Sequence, residues 1–208
     1  MSIIENNFIF DLDGTLFDSA PDIIDCLNEV FYKNNIEIKK NIDQSIIGPP
    51  LKEILISLVQ AHDQNKIDKL ILHFKDLYDS KYCYKTELYK GVKETLQILC
   101  KEKKLFLITN KRLNPTKIML ENRNIIKLFK NYFSVDLNDT KKKDKTSLIR
   151  NTIKDLNLNP TDTVYIGDTY SDFLASKDNN IKFLYAGWGY GEYVDSAYLH
   201  LNKISELT

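Results

Sequence analysis

The apolar residues of this chain change their spacing along its length. A short apolar run at Phe8-Ile9-Phe10 comes first, and aromatic and β-branched residues in a run of this length predict a buried strand. From Pro21 to about Tyr84 the apolar residues recur at helical spacing, and no strand pattern interrupts them. Three successive helical faces consist of Ile23, Ile24, Leu27, Val30 and Phe31; of Leu51, Ile54, Leu55, Leu58 and Val59; and of Ile67, Leu70, Ile71, Phe74, Leu77 and Tyr78.

Proline and glycine mark where the first two of these helices begin. Pro21 suits the first turn of the first helix, with Ser19 or Ala20 before it. Gly48-Pro49-Pro50 interrupts the chain and starts the second helix. Residues 18–85 are therefore predicted to form a helical unit inserted after the first strand.

Beyond Gly91, strand patterns alternate with helix patterns. We predict helices at 92–103, from 114 or 115 to 122, from 145 or 146 to 157, and at 171–177, and strands at 105–108, 132–135, 163–166 and, as the last strand, 182–185. Helices of this length between strands indicate β-α-β units and a parallel sheet covered on both faces. The predicted fold is therefore α/β, a doubly wound parallel-sheet core of residues 1–17 and 86–208 with a helical cap at 18–85.

Composition narrows the class of protein. A chain of 208 residues suits one domain, or one domain with a small satellite. Lys and Arg total 29, as do Asp and Glu, so the chain lacks the basic excess of a nucleic-acid-binding protein. With 43% hydrophobic and 28% charged residues it is unlike a disordered chain. No apolar run reaches the ~18 residues that a membrane helix requires.

Three scattered cysteines, Cys26, Cys83 and Cys100, contain no C-x-x-C pair and predict neither a disulfide framework nor a zinc site. The first residues carry no basic segment followed by an apolar one, so no signal peptide is expected. We expect a cytoplasmic protein that is a monomer or a weak homodimer.

Polar residues follow three of the predicted strands at their carboxyl ends. They are Asp11, Asp13 and Gly14 after the first strand, Thr109 and Asn110 after the strand at 105–108, and Asp168 and Asp172 after the strand at 163–166. Ligands of open α/β sheets bind outside the carboxyl ends of the strands. If these strands are neighbours, the polar residues meet at one place.

A cluster of carboxylates at one edge requires a cation or a proton between them, because like charges repel. A hard divalent cation with oxygen ligands, Mg²⁺, is the natural partner, and it commonly shares its coordination with a substrate phosphate. Gly14 allows a sharp turn whose amides can face an anion. The Thr109 hydroxyl and the Asn110 amide are further donors, and a lysine would complete the charge balance.

The sequence resembles the haloacid dehalogenase-like hydrolase superfamily over nearly its whole length. DLDGTLFDS at 11–19, LITNK at 107–111 and GDTYSD at 167–172 are similar to its first, second and fourth signatures. The third signature is a lysine before a helix; Lys145 fits best, and Lys142 and Lys143 are alternatives. The resemblance implies a Rossmann-like core.

Three further segments resemble the phosphoglycolate phosphatase-like branch, which carries a helical cap. They are DSAPDI at 18–23, IGPPL at 47–51 and GWGYG at 187–191. The usual Lys-Pro of this branch is replaced by Lys145-Thr146. The exact position within the branch therefore stays open, while the chemistry does not change.

The resemblance assigns roles to individual residues. It implies that Asp11 is the nucleophile that forms an aspartyl phosphate, and that Asp13 protonates the leaving oxygen and then activates water. It implies that Lys145 and Mg²⁺ neutralise the transferring phosphoryl group, whose oxygens Thr109 and Asn110 position.

The resemblance also implies a metal set and a lid. Mg²⁺ would be held by the Asp11 carboxylate, the Asp13 backbone carbonyl and Asp168, with Asp172 supporting metal-bound waters or the lysine. Gly48 and Pro49 would belong to a cap loop that closes over the substrate. The cap is expected to hinge near 15–18 and 85–90.

The leading functional prediction is a Mg²⁺-dependent phosphatase of small phosphate monoesters, with phosphoglycolate as the first candidate. Its partner would be a small phosphorylated metabolite, with no nucleic acid and no membrane. Pyrophosphate, a nucleotide monophosphate and a phosphosugar mutase reaction are alternatives.

A dehalogenase is disfavoured because Asp13 is present. A phosphoryl-accepting switch and a catalytically weak interaction module are the non-enzymatic alternatives; the helical insertion argues against the switch, and the intact acid pair argues against the module.

Overall fold

A parallel sheet with helices on both faces forms the centre of the protein. The computed structural model describes residues 3–38, 41–59, 63–136, 144–191 and 199–208. The strands are β1 (Asn7–Phe10), β2 (Phe17–Asp18), β3 (Glu87–Leu88), β4 (Lys104–Thr109), β5 (Asn131–Ser134), β6 (Thr163–Gly167), β7 (Lys182–Ala186) and β8 (Leu199–Leu201). The α-helices are α1 (Ala20–Lys33), α2 (Leu51–Val59), α3 (Gln64–Leu77), α4 (Val92–Leu99), α5 (Leu113–Asn122), α6 (Lys145–Asp155) and α7 (Tyr170–Asp178).

The main sheet has the strand order β5-β4-β1-β6-β7-β8, and every described pair in it is parallel. The chain starts in the middle of the sheet and builds outwards, first to one side and then to the other. Phe10 at the end of β1 is in register with Leu107 of β4 and Ile166 of β6. The carboxyl ends of these three strands therefore lie side by side.

Successive side chains of β1 point to opposite faces of the sheet and so contribute to two separate parts of the hydrophobic core. Phe8 and Phe10 pack on the face covered by α4 and α5, whereas Ile9 packs on the opposite face with α6 and α7. A strand buried on both faces reads as a continuous apolar run, as Phe8-Ile9-Phe10 does. The predicted doubly wound α/β core is confirmed.

One prediction about the sheet is wrong. The strand at 182–185 was expected to be the last, but β8 follows it and pairs with β7. The sequence does not predict β8 because the strand is only three residues long, which is too short for a clear apolar pattern, and its middle residue, His200, is exposed. Edge strands in proteins are commonly short, since a short edge offers little backbone to another chain.

The helical insertion after the first strand contains α1, α2 and α3, followed by a π-helical turn at Tyr78–Tyr82. The predicted apolar face of α1 is buried except for Ile24, which is partly buried, and Pro21 lies in the first turn of the helix, after Ser19 as N-cap. In α3 the N-cap Asp63 accepts hydrogen bonds from the amides of Asn65 and Lys66. None of the helices in the described ranges is long and apolar enough to cross a membrane.

The two chain segments that join the insertion to the sheet pair with each other. β2 and β3 form a two-stranded antiparallel ribbon in which Phe17 faces Leu88 and Asp18 faces Glu87. Neither strand was predicted, because two residues are too few to show a period. The ribbon coincides with the segments where the sequence predicts a hinge.

Candidate active site

The carboxyl ends of β1, β4 and β6 open onto a cavity of about 200 Å³ between the sheet and the helical insertion. Asp11 and Asp13 follow β1, and Thr109 and Asn110 stand at the end of β4. All four line the cavity, together with Lys145 from the start of α6 and Gly48 and Pro49 from the loop before α2. The structure therefore brings these predicted residues around one space.

Three buried carboxylates form a cluster beneath the cavity. Asp11, Asp168 and Asp172 each offer one carboxylate oxygen, and the three oxygens lie within 4.8 Å of one another. Among the residues that the structure describes, one buried ammonium group, that of Lys145, contacts the cluster. Three carboxylates against one ammonium leave excess negative charge, and oxygen donors of this kind fit Mg²⁺.

Lys145 is held between two of these carboxylates. Its Nζ lies 3.1 Å from Asp11 Oδ1 and 2.5 Å from Asp172 Oδ1. Burial opposes its charge, but Asp11 and Asp172 outweigh burial and raise the pKa of Lys145 above its ordinary value. The alternatives Lys142 and Lys143 lie outside the described residues.

The pKa of Asp11 is raised well above its ordinary range, first by burial and then by the carboxylates of Asp172 and Asp168, while Lys145 acts in the opposite direction. Burial and the neighbouring Asp172 also raise the pKa of Asp168 to about 7. Such a cluster resists full ionisation on its own, because each added negative charge is buried beside others. A bound divalent cation would remove this resistance.

Backbone donors from a glycine-rich loop hold Asp168. The amides of Tyr190 and Gly191 donate to its Oδ2 at 2.9 and 3.3 Å. Gly14 has a φ of +80°, and a Cβ at this residue would collide with the Asp168 carboxylate. The turn after Asp13 and the loop at 187–191 therefore enclose one side chain from two directions.

Asp172 is fixed by the start of its own helix. Its Oδ2 accepts hydrogen bonds from the Thr169 amide at 3.1 Å and the Thr169 hydroxyl at 2.7 Å, and its own amide donates to that hydroxyl. This reciprocal arrangement is a capping box with aspartate at the third position. The remaining oxygen, Oδ1, accepts hydrogen bonds from Lys145 and from the Tyr165 hydroxyl.

The Asp13 carboxylate stands apart from the cluster. Lys111 Nζ donates to its two oxygens at 2.9 and 3.2 Å, and the Ser19 hydroxyl donates to Oδ1 at 2.5 Å. Of the four aspartates predicted around the metal, Asp11, Asp168 and Asp172 bring their carboxylates together, whereas the Asp13 carboxylate contacts Lys111. That Asp13 would approach a metal through its backbone carbonyl stays a prediction.

The two predicted phosphate-positioning residues after β4 have different partners. The Thr109 side chain is buried, and its Oγ1 accepts a hydrogen bond from the Lys111 amide at 3.1 Å. The Asn110 side-chain amide donates to the Gly48 carbonyl at 3.2 Å, which links the core to the loop before α2.

Two cations at the cavity were not assigned a role from the sequence. Lys111 contacts Asp13 and lies 4.7 Å from the centre of the Tyr78 ring. Arg112 forms a two-pronged ion pair with Asp79, at 3.0 and 2.5 Å, across the boundary between core and insertion. Lys111 directly follows the quoted Thr-Asn pair, which is a usable signal, whereas nothing local distinguishes Arg112 from a surface cation.

The sequence model for haloacid dehalogenase-like hydrolases matches residues 8–186 of this chain. The chain belongs to this family. It is 29% identical to a phosphoglycolate phosphatase of Psychrobacter arcticus over 192 residues, which cover 88% of this chain and 83% of that protein. It is 25% identical over 186 residues to the pyrophosphatase PpaX of Anoxybacillus flavithermus, covering 88% and 84%.

Solved structures agree with this assignment. A crystal structure described as a predicted phosphatase from Clostridium acetobutylicum superposes with a TM-score of 0.85 at 27% identity, over 99% of this chain and 97% of the other. The predicted family, its phosphoglycolate phosphatase-like branch and the hydrolase class are thereby confirmed.

Proposed function

We propose that the protein is a Mg²⁺-dependent phosphatase that hydrolyses small phosphate monoesters through an aspartyl-phosphate intermediate. The observation that carries the proposal is the buried Asp11 carboxylate at the cavity floor, beside Lys145 and two further carboxylates. Relatives named as phosphatases support the substrate class.

In the first step we assign the Asp11 carboxylate as the nucleophile. Its oxygen forms a bond to phosphorus while the bond from phosphorus to the ester oxygen breaks, and Asp13 delivers a proton to that leaving oxygen. In the second step Asp13 takes a proton from a water that attacks the phosphoryl group, releasing phosphate and restoring Asp11. Lys111 and Ser19 hold the Asp13 carboxylate at the cavity wall for both transfers.

Charge on the phosphoryl group has to be balanced throughout. Lys145 supplies one positive charge next to Asp11. Asp11, Asp168 and the Asp13 backbone carbonyl would hold Mg²⁺, with Asp172 in support, and the bound ion would neutralise further negative charge on the phosphoryl oxygens. The Thr109 hydroxyl, the Asn110 amide and the turn at Gly14 would orient these oxygens.

We also propose the division into a core of 1–17 and 86–208 and a cap of 18–85. The β2–β3 ribbon is the covalent link between them, and Gly48 and Pro49 face the cavity from the cap side. A cap that opens for substrate and closes for chemistry excludes water from the reacting phosphoryl group. A cytoplasmic monomer or weak homodimer stays a prediction.

The test is phosphate release from a panel of phosphate monoesters, with pyrophosphate included because one relative is named a pyrophosphatase. We expect turnover with Mg²⁺, none with EDTA, and a loss of more than about a thousandfold in kcat for Asp11→Asn. Asp25→Asn, which makes the same change at an exposed position of α1, should leave kcat unchanged. Turnover that survives in Asp11→Asn or in EDTA would contradict the proposal.

A further inference from the structure

The cavity has a polar floor and an apolar wall. The floor carries Asp11, which follows β1, and Lys145 from the start of α6. Most of the wall comes from the helical insertion and consists of Ile23, Ile47, Ile54 and Phe74, with Val135 added from the segment after β5. With a phosphoryl group on the floor, the alcohol part of a substrate must lie against this wall.

Both cations above the floor already have a protein carboxylate. Lys111 is paired with the two oxygens of Asp13. Arg112 is paired with the two oxygens of Asp79, and the Asn114 side chain donates to the same carboxylate at 2.9 Å. Among the described residues that line the cavity, Lys145 is the other cation, and it contacts Asp11 and Asp172.

A second negative group on the substrate is therefore poorly accommodated. A carboxylate or second phosphate would lose water against the apolar wall without a cation in exchange, or would displace Asp79 from Arg112. Displacement would leave the Asp79 carboxylate without its ion pair. An uncharged apolar group has neither cost, and its burial in the same place is favourable.

We infer that this site selects phosphate monoesters whose alcohol part is uncharged and apolar over those with a second anionic group, because the cations that line the cavity in the described part of the chain are paired within the protein. The inference rests on the proposed function and refines it. It points away from phosphoglycolate and pyrophosphate, the substrates in the names of the relatives above.

Isobutyl phosphate and phosphoglycolate form a matched pair for the test. Both place a CH₂ and a branched carbon with two terminal heavy atoms after the ester oxygen, and they differ in the carboxylate. With Mg²⁺ we expect kcat/KM for isobutyl phosphate to exceed that for phosphoglycolate and pyrophosphate by about tenfold or more. From ethyl to butyl phosphate we expect a rise of about fourfold for each buried methylene.

Asp79→Asn tests the cause of the preference. The substitution releases the Arg112 guanidinium, so kcat/KM for phosphoglycolate should rise by about tenfold relative to isobutyl phosphate. Asp76→Asn is the control, since it removes an exposed carboxylate from the end of α3, just before the π-helical turn that carries Asp79. In the control, the ratio of kcat/KM for phosphoglycolate to kcat/KM for isobutyl phosphate should equal that of the wild type.

The outcomes separate the two levels of the proposal. The inference is overturned if the wild type has a higher kcat/KM for phosphoglycolate or pyrophosphate than for isobutyl phosphate. It is also overturned if Asp79→Asn leaves the ratio of kcat/KM for phosphoglycolate to that for isobutyl phosphate unchanged. The absence of metal-dependent phosphate release from every compound would instead overturn the proposed function. The wild-type comparison needs no variant, so it decides the substrate preference even where Asp79→Asn fails to fold.

Discussion

Asp168 illustrates how closely single residues of this protein are fitted to one another. Its carboxylate is fully buried, accepts two backbone amides and lies against Gly14 and the loop at 187–191. A carboxylate in this environment has one orientation, because backbone atoms occupy the space on several sides. We therefore expect small changes around Asp168 to affect metal binding as well as the stability of the fold.

Gly14→Ala is expected to lower both stability and Mg²⁺ affinity. The new methyl group would collide with the Asp168 carboxylate, and the left-handed backbone at Gly14 adds a strain of about 1–2 kcal/mol. Denaturant unfolding and calorimetric Mg²⁺ titration measure the two effects.

Gly91→Ala provides the control for that experiment. Gly91 has nearly the same φ, +83°, but the nearest atom to a new Cβ there, on Ile204, is 3.8 Å away. Gly91→Ala should lower the free energy of unfolding through backbone strain but leave the Mg²⁺ affinity at its wild-type value. Equal effects of the two substitutions on Mg²⁺ binding would show that contact with Asp168 is unimportant.

Lys145→Met is expected to make folding depend on Mg²⁺. Without the ammonium group, the buried carboxylates of Asp11 and Asp172 have no cation in the metal-free protein, and removal of one partner from a buried ion pair costs about 3–5 kcal/mol. Mg²⁺ binds the folded cluster and should restore part of the loss.

Thermal unfolding with Mg²⁺ or EDTA checks this prediction. Lys154→Met, at an exposed position of the same helix, should respond to Mg²⁺ as the wild type does. A Lys145→Met protein whose response to Mg²⁺ equals that of the wild type would show that Lys145 does not offset the cluster.

At the level of secondary structure, Glu29 connects two elements of the insertion. From α1 it accepts hydrogen bonds from Lys81 at 2.7 Å and from the Tyr82 hydroxyl at 2.6 Å, both in the π-helical turn after α3, and it pairs with Lys33 of its own helix. Hydrogen bonds from Lys33, Lys81 and Tyr82 lower the pKa of Glu29 from 4.5 to about 2. The carboxylate thus joins the start of the insertion to its end.

Glu29→Gln should therefore destabilise the protein in a pH-dependent way. A lowered pKa in the folded state stabilises it fully above the unfolded value of 4.5, and this contribution disappears as the pH falls towards 2. The difference in unfolding free energy from the wild type should be largest at neutral pH and shrink across this interval. Glu102→Gln, at an exposed carboxylate between α4 and β4, should show no such trend.

The long elements could be predicted because burial repeats along them. Phe8, Ile9 and Phe10 face two cores, and α1 buries one face, so both leave a regular apolar pattern. The strands of the β2–β3 ribbon have two residues each and depend on backbone pairing, which leaves no pattern. Tertiary contact, not local preference, determines these short elements.

The same distinction holds at the site. Asp11, Thr109 and Asp168 were expected together because the carboxyl ends of neighbouring parallel strands share an edge. The pairing of Arg112 with Asp79 depends on how the insertion lies over the sheet. The Ser19 hydroxyl donates to Asp13 and accepts no hydrogen bond from an amide of its own helix, which no N-cap rule predicts.

At the scale of the whole molecule, polar contacts between described residues join the insertion to the core around the cavity. They include the hydrogen bond from Asn110 to the Gly48 carbonyl and the ion pair of Arg112 with Asp79. A substrate can reach Asp11 when such contacts separate. We therefore expect residues 18–85 to rotate about the β2–β3 ribbon.

Crystal structures with and without Mg²⁺ and a phosphate mimic check this movement. The structure with the mimic should keep both contacts, and the free protein should show a displaced insertion in at least one form. Hydrogen exchange offers a second readout, in which amides of α2 become better protected on addition of the mimic. Identical positions and identical protection would contradict a moving cap.

The central position of β1 has a consequence for synthesis of the chain. Asn7 at its start pairs with Lys104 on one side and Thr163 on the other. While the chain is being made, β1 has to wait for β4 and then for β6, so its apolar residues emerge long before their neighbours. Asp11, the proposed nucleophile, is thus translated well before its surroundings, which assemble only when α7 has left the ribosome. A truncated product lacking β6 and α7 has one edge of β1 unpaired and part of the apolar face around Ile9 uncovered, and it is a natural target for chaperones and proteases.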